Sequence, residues 1–162
     1  MRSNFSAALL FLFSLTLIGT SQSYAADNGL IIKKSDFGVI KTLDRLGIAL
    51  ERKGIKVFAR INHSSGAKSV GLELLPTAVI IFGTPKLGTP LMTSNPMIGL
   101  DLPLKAVAWE TKDGVVQLAY TDPSWLAKRY GIEDRAKVFK MMTGALNNFT
   151  NMAVTRGGLP KN

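Results

Sequence analysis

A chain of 162 residues with 46% hydrophobic and 19% charged side chains has the composition of one folded domain, which excludes a disordered chain. It has no cysteine, which excludes disulfide staples, a thiol nucleophile and thiolate metal sites. The net charge of +9 is dispersed over pairs such as Lys33-Lys34, Arg52-Lys53 and Lys128-Arg129, without the basic runs and interleaved aromatics of a nucleic-acid groove.

The N-terminus reads as a signal peptide. Arg2 precedes an unbroken apolar run from Ala7 to Gly19, and Ser23-Tyr24-Ala25 is a small-x-small cleavage pattern. The run is shorter than the roughly 20 residues that a spanning helix needs. Residues 1–25 are therefore expected to be removed, leaving 26–162 as a single domain in the periplasm or outside the cell, with no stable membrane insertion.

Along that domain, Gly29 to Lys34 is a short strand ending before Ser35. The spacing of Phe37, Ile40, Leu43, Ile48 and Leu50 then predicts a helix over about 36–53, with Ser35 as N-cap and Gly54 just past the end. In Ile55 to Asn62, Ile55, Val57, Ala59 and Ile61 alternate with Lys56, Phe58 and Arg60, as in a strand with one buried face. Ser64 to Leu72 reads as a short helix or turn. Ala78 to Gly83 is apolar on both faces and reads as a central strand.

The stretch from Thr84 to Pro103 is rich in proline and glycine and predicts short helical turns joined by bends. Two β-rich runs then flank Lys112-Asp113-Gly114, a hairpin signal. A helix begins near Pro123, and a second over about 133–150 carries Val138, Met141, Met142, Ala145, Leu146 and Phe149 on one stripe. The order predicts an α+β fold: a single two-layer domain, a mixed sheet with a C-terminal β-hairpin, covered by helices.

The stretches VGLELLPTAVIIFGTPKLGTPLM, LDLPLKAVAWE and AYTDPSWLAKRYG resemble the bacterial and archaeal family called domain of unknown function 302, over about Leu30 to Gly131. The resemblance implies a small α+β domain and no established activity. The chain departs from the family pattern at Asn62, Leu75 and Thr84, where Asp, Arg and Asn are expected.

His63, the single histidine, follows a strand and is a candidate acid, base or ligand. With Glu73 and Lys86 it forms the ligand-binding set, Met92, Leu100 and Trp109 supplying an apolar wall, and the bend at Gly83, Pro85, Gly88 and Pro90 is expected to fold back beside His63. Ser65 and Lys68 match S-x-x-K without the companion motifs of serine-lysine enzymes. One histidine and no cysteine are too few ligands for zinc, and no cofactor is expected.

The sequence favours binding of a small polar or anionic molecule near His63. An envelope interaction protein with a basic surface ranks second and a His-dependent hydrolase third. The expected partner is a small-molecule ligand and the expected assembly, if any, a homodimer. N-terminal sequencing of the exported protein should begin at Ala26-Asp27; a mature form that retains Ala7 to Gly19 overturns the cleavage.

Overall fold

Alternation along the strands sets the architecture. The structure, a computed structural model, describes Ala25, Ala26 and residues 28–158; apart from Ala25, the segment expected to be cleaved lies outside the described residues. The chain runs β1 (Ala25–Ala26), β2 (Leu30–Ser35), α1 (Val39–Glu51), β3 (Lys56–Asn62), α2 (His63–Ser69), β4 (Thr77–Gly83), α3 (Pro85–Ser94), a 3-10 turn (Pro96–Leu100), β5 (Leu104–Glu110), β6 (Val116–Thr121), α4 (Pro123–Arg129) and α5 (Ala136–Val154).

The strands form one sheet in the order β1-β2-β6-β5-β4-β3. The α+β class and the hairpin hold; the mixed sheet does not, because every pairing is antiparallel. Helix α1 carries the chain from β2 near one edge to β3 at the other, so no two neighbouring strands are joined by a parallel crossover. In the hairpin, Gly114 has φ +74°, a backbone conformation that favours glycine.

One sheet face is the core. Ala78, Ile80 and Phe82 of β4 align with Ala106 and Ala108 of β5 and with Leu118 and Tyr120 of β6, all buried. Helices α1 and α5 pack against each other and onto this face through Leu43, Leu46, Leu50, Leu146 and Phe149. The Arg60 guanidinium lies against Gly47 of α1, in space that a Cβ there would share. The opposite face carries a cross-strand row of Ile32, Ala119, Val107, Val79 and Ile61, of which only Ala119 is buried.

Three local readings change. Helix α1 starts at Val39 with Gly38 as N-cap, because Ser35 is used elsewhere. The Ser35 hydroxyl accepts from the Phe37 amide at 3.2 Å and lies 2.7 Å from Thr42 Oγ1, and both side chains are buried. Thr42 has one proton, which it donates to the Gly38 carbonyl at 3.0 Å, so Ser35 is the donor between the two hydroxyls. In β3 a bulge between Val57 and Ala59 shifts the register, pairing Arg60 with buried Ile80 and leaving Ile61 45% exposed, so the alternation predicted for Ile61 is broken. Met141 of α5, predicted on the buried stripe, is 55% exposed; Met142 is the buried member.

A second cluster joins Leu91, Ile98, Leu126, Tyr130, Ile132, Phe139 and Met142 beyond the end of the sheet. Asn95 fastens it by donating to the Tyr130 carbonyl at 2.9 Å, and the Tyr130 hydroxyl donates to Asp101 at 2.6 Å.

Helix α5 is tied to β2 by Lys33. Its ammonium donates to Asn147 Oδ1 at 2.8 Å, Thr150 Oγ1 at 2.8 Å and Asn151 Oδ1 at 2.6 Å, three residues on one helix face. None is a carboxylate, and burial lowers the Lys33 pKa from 10.5 to about 8. Above pH 8 the folded chain releases this proton while the unfolded chain keeps it, so stability rises between pH 8 and about 10. Burial pushes Tyr120, beside Lys33, upward, and its ionisation opposes folding only above its ordinary 10.0. Urea midpoints at fixed salt should show the rise in the native chain and a flat profile in Lys33→Met; an equal slope in both contradicts it.

Candidate ligand cavity

The core cover is incomplete where β4 ends. Gly83 closes that strand, Pro85 opens α3, and Pro90 lies inside the helix, so the chain turns out of the sheet within a few residues. Phe82, Leu146 and Phe149 mark the limit of the first core cluster and Met142 belongs to the second, with Leu104 packed against both. Between them lies a cavity of about 380 Å³, within the size range of small-molecule sites.

Its wall is almost wholly apolar. Phe58, Leu87, Met92 and Leu102 complete it, and Thr84 and Thr89 bring the only hydroxyl groups. Gly83, Gly88 and Gly99 also line it and keep it wide. A Cβ at Gly88 would meet Leu102 and Met92 at 3.8 Å, ordinary contact, and so would add to the wall without a clash. An apolar lining cannot hold water through hydrogen bonds; it suits a hydrocarbon surface.

The residues predicted from sequence to form a site fall elsewhere. The register pairs Asn62 with Ala78 and Lys56 with Gly83, so His63 emerges at the Thr77 end of β4 and Lys86 lies just past the Gly83 end. A seven-residue strand separates them, roughly 20 Å. The expected approach of the Gly83 to Pro90 bend to His63 is therefore not found: an antiparallel partner places the end of one strand beside the start of the other.

His63 is the exposed first residue of α2. Asn62 caps this helix, its Oδ1 accepting from the Ser65 amide at 3.0 Å and from Ser64 Oγ at 2.9 Å. Ser64 in turn accepts from the Thr77 amide at 3.2 Å, fixing α2 to β4. The oxygen next to His63 thus serves the helix end. Glu73 lies on the same side, in a shallow open groove with Ser64, Ser65, Lys68 and Leu75; His63 is not part of its lining.

Of the expected apolar wall, Met92 lines the cavity, Leu100 is 78% exposed, and Trp109 pairs with Thr77 at the far end of β4. Sequence reasoning missed Phe58, Ala145 and Phe149 as wall residues. The one available signal was Gly83, Gly88 and Gly99 recurring beside Met92, which marks space next to an adaptable side chain. Among the described residues no group of three or more His, Asp or Glu side chains converges to hold a metal.

Comparison with known proteins gives the family and the fold. Residues 31–149 match the family described as Domain of unknown function DUF302. The chain is similar to the "Fluoride-specific ion channel FluC 1" of Brucella suis biovar 1, 43% identical over 120 residues, covering 73% of this chain and 47% of that protein. It is also similar to "Fluoride-specific ion channel FluC 2" of Brucella melitensis biotype 1, 43% identical over 120 residues, 73% of this chain and 44% of that protein. The chain thus spans about half the length of the curated relatives it matches. Among the described residues no helix is long and apolar enough to cross a membrane. The crystal structure of an uncharacterized conserved DUF302 protein from Bacillus stearothermophilus shares the fold, with TM-score 0.70 and 16% identity, covering 78% of this chain and 98% of that one.

The two sites should respond differently to truncation. His63→Ala, at an exposed helix start, is expected to change unfolding free energy by less than about 0.5 kcal/mol. Leu146→Ala, in the cavity wall and the core, is expected to cost about 2–5 kcal/mol. Urea denaturation of both variants checks this; a large loss for His63→Ala means the ring carries a structural contact.

Proposed function

The chain belongs to the DUF302 family, and we propose that it is a binding module whose cavity between the sheet end, α3 and α5 receives an apolar small molecule or a single alkyl chain. The observation that carries this reading is the lining: a cavity of about 380 Å³ in which nearly every wall atom comes from aliphatic, aromatic or thioether groups. The lining has no His, Asp, Glu or Lys side chain, and the reading is one of binding without a covalent step. With the signal pattern at the N-terminus, it puts binding in the periplasm or outside the cell.

The groove beside His63 supports a second reading. Ser64, Ser65, Lys68 and Glu73 set hydroxyls and both signs of charge around an open depression that suits a small polar or anionic molecule. Its openness to water makes each of those contacts weak, which ranks it below the cavity.

The test is a series of linear alcohols from hexanol to dodecanol, followed by calorimetry and by the methyl resonances of Met92 and Met142. Affinity should climb about fourfold per methylene, the factor for about 0.8 kcal/mol per buried CH₂, until the cavity is full. Ala145→Leu, which extends a small wall residue, should end the climb at a shorter chain. No dependence on chain length, or no perturbation of the methionine methyls, overturns the reading.

A further inference from the structure

Two lysines belong to the end of the sheet where the cavity lies. Lys56 pairs across the sheet with Gly83 and follows Ile55, both wall residues. Lys86 stands between the wall residues Pro85 and Leu87 in α3. Lys105 is not one of them: it pairs with Ile81 on the sheet face opposite the wall pair Phe82 and Leu104. Lys56 and Lys86 are exposed, and among the described residues neither forms an ion pair. The Lys56 ammonium lies 5.4 Å from the Phe58 ring centroid, so this charge sits against an aromatic wall residue.

Nearby acid does not cancel them. Asp101, next to the wall residue Leu102, accepts from the Tyr130 hydroxyl at 2.6 Å and pairs with Arg129 at 3.7 Å. Glu51 ends α1 and is followed by Arg52 and Lys53, so basic side chains outnumber it there. An apolar chamber with a cationic surround matches a molecule with one hydrocarbon chain and one negative head, the chain excluded from water and the head left at the solvent boundary.

Resting on the binding reading above, we infer that the cavity takes a single-chain anionic amphiphile, such as a fatty carboxylate or an alkyl phosphate, with Lys56 and Lys86 holding its head. The two lysines set head-group preference and the apolar wall sets chain length. Carboxylate and phosphate heads share this chemistry, and the phosphate's greater charge gives it the stronger salt dependence.

The experiment titrates the full chain with decanol, decanoate, decyl phosphate and decyltrimethylammonium, all below their micelle concentrations, in 20 mM and 500 mM salt. Decanoate is expected to bind about tenfold more tightly than decanol at low salt, the scale of a few exposed charge pairs, and to lose most of that advantage at high salt. The cationic amphiphile should bind more weakly than decanol. Tighter binding of decyl phosphate than decanoate assigns a phosphorylated lipid head; the reverse order assigns a free fatty acid, and either order supports the proposal provided both exceed decanol. The double variant Lys56→Gln, Lys86→Gln should bring decanoate down to the affinity of decanol while leaving decanol unchanged, which also verifies its fold. Equal affinity of decanol and the two anions overturns the lysine role and leaves the apolar cavity standing. Failure of all four to bind overturns both.

Discussion

The fold depends on covering one face of an antiparallel sheet with two helices. Ala106 and Ala108 at the centre of that face are small enough to let α1 approach, while Ile80, Leu118, Leu46 and Leu50 supply the area removed from water. The cover cannot extend indefinitely. Helix α5 passes over the end of β4 toward the second cluster, and α3 leaves the sheet through a proline and glycine turn. Bulky residues face each other across the resulting gap without closing it. The cavity is thus a consequence of joining two apolar clusters through one long helix, and Leu104 and Met142 sit at the seam because they serve both.

Polar groups inside this frame are few and each is answered. Thr42, Ser35 and Thr150 are buried and their hydroxyls sit in short local networks. Lys33 is the exception in kind: a cation among neutral oxygens, where hydrogen bonds favour the charged form and burial opposes it. It stays charged at neutral pH, so α5 is anchored to β2 by an ammonium rather than by packing alone.

Much of this was legible from the chain. The runs Leu30–Ser35, Thr77–Gly83, Leu104–Glu110 and Val116–Thr121 announce strands by composition, and Asp113-Gly114 announces the hairpin. The α1 cap was misread because Ser35 suits two local roles and tertiary contact with Thr42 decides between them. The β3 face was misread because a bulge leaves no mark on hydrophobic alternation. The site was the least legible. Sequence distance put His63, Glu73 and Lys86 in one region, but reversal of chain direction between β3 and β4 carries Lys86 to the other end. A cavity formed by what the wall residues fail to fill has no motif of its own, and Phe58 and Phe149 lie about 90 residues apart in the chain.

The bulge in β3 has a further effect, on solubility. This strand is the last in the sheet, and its free edge would otherwise be a template on which another chain could add a strand. The shifted register at Phe58 breaks the regular row of amides and carbonyls, and Lys56 and Arg60 set positive charge on either side of the break. That margin of the sheet is thereby guarded against runaway polymerisation, a safeguard of particular value to a chain that must hold its shape without a single disulfide.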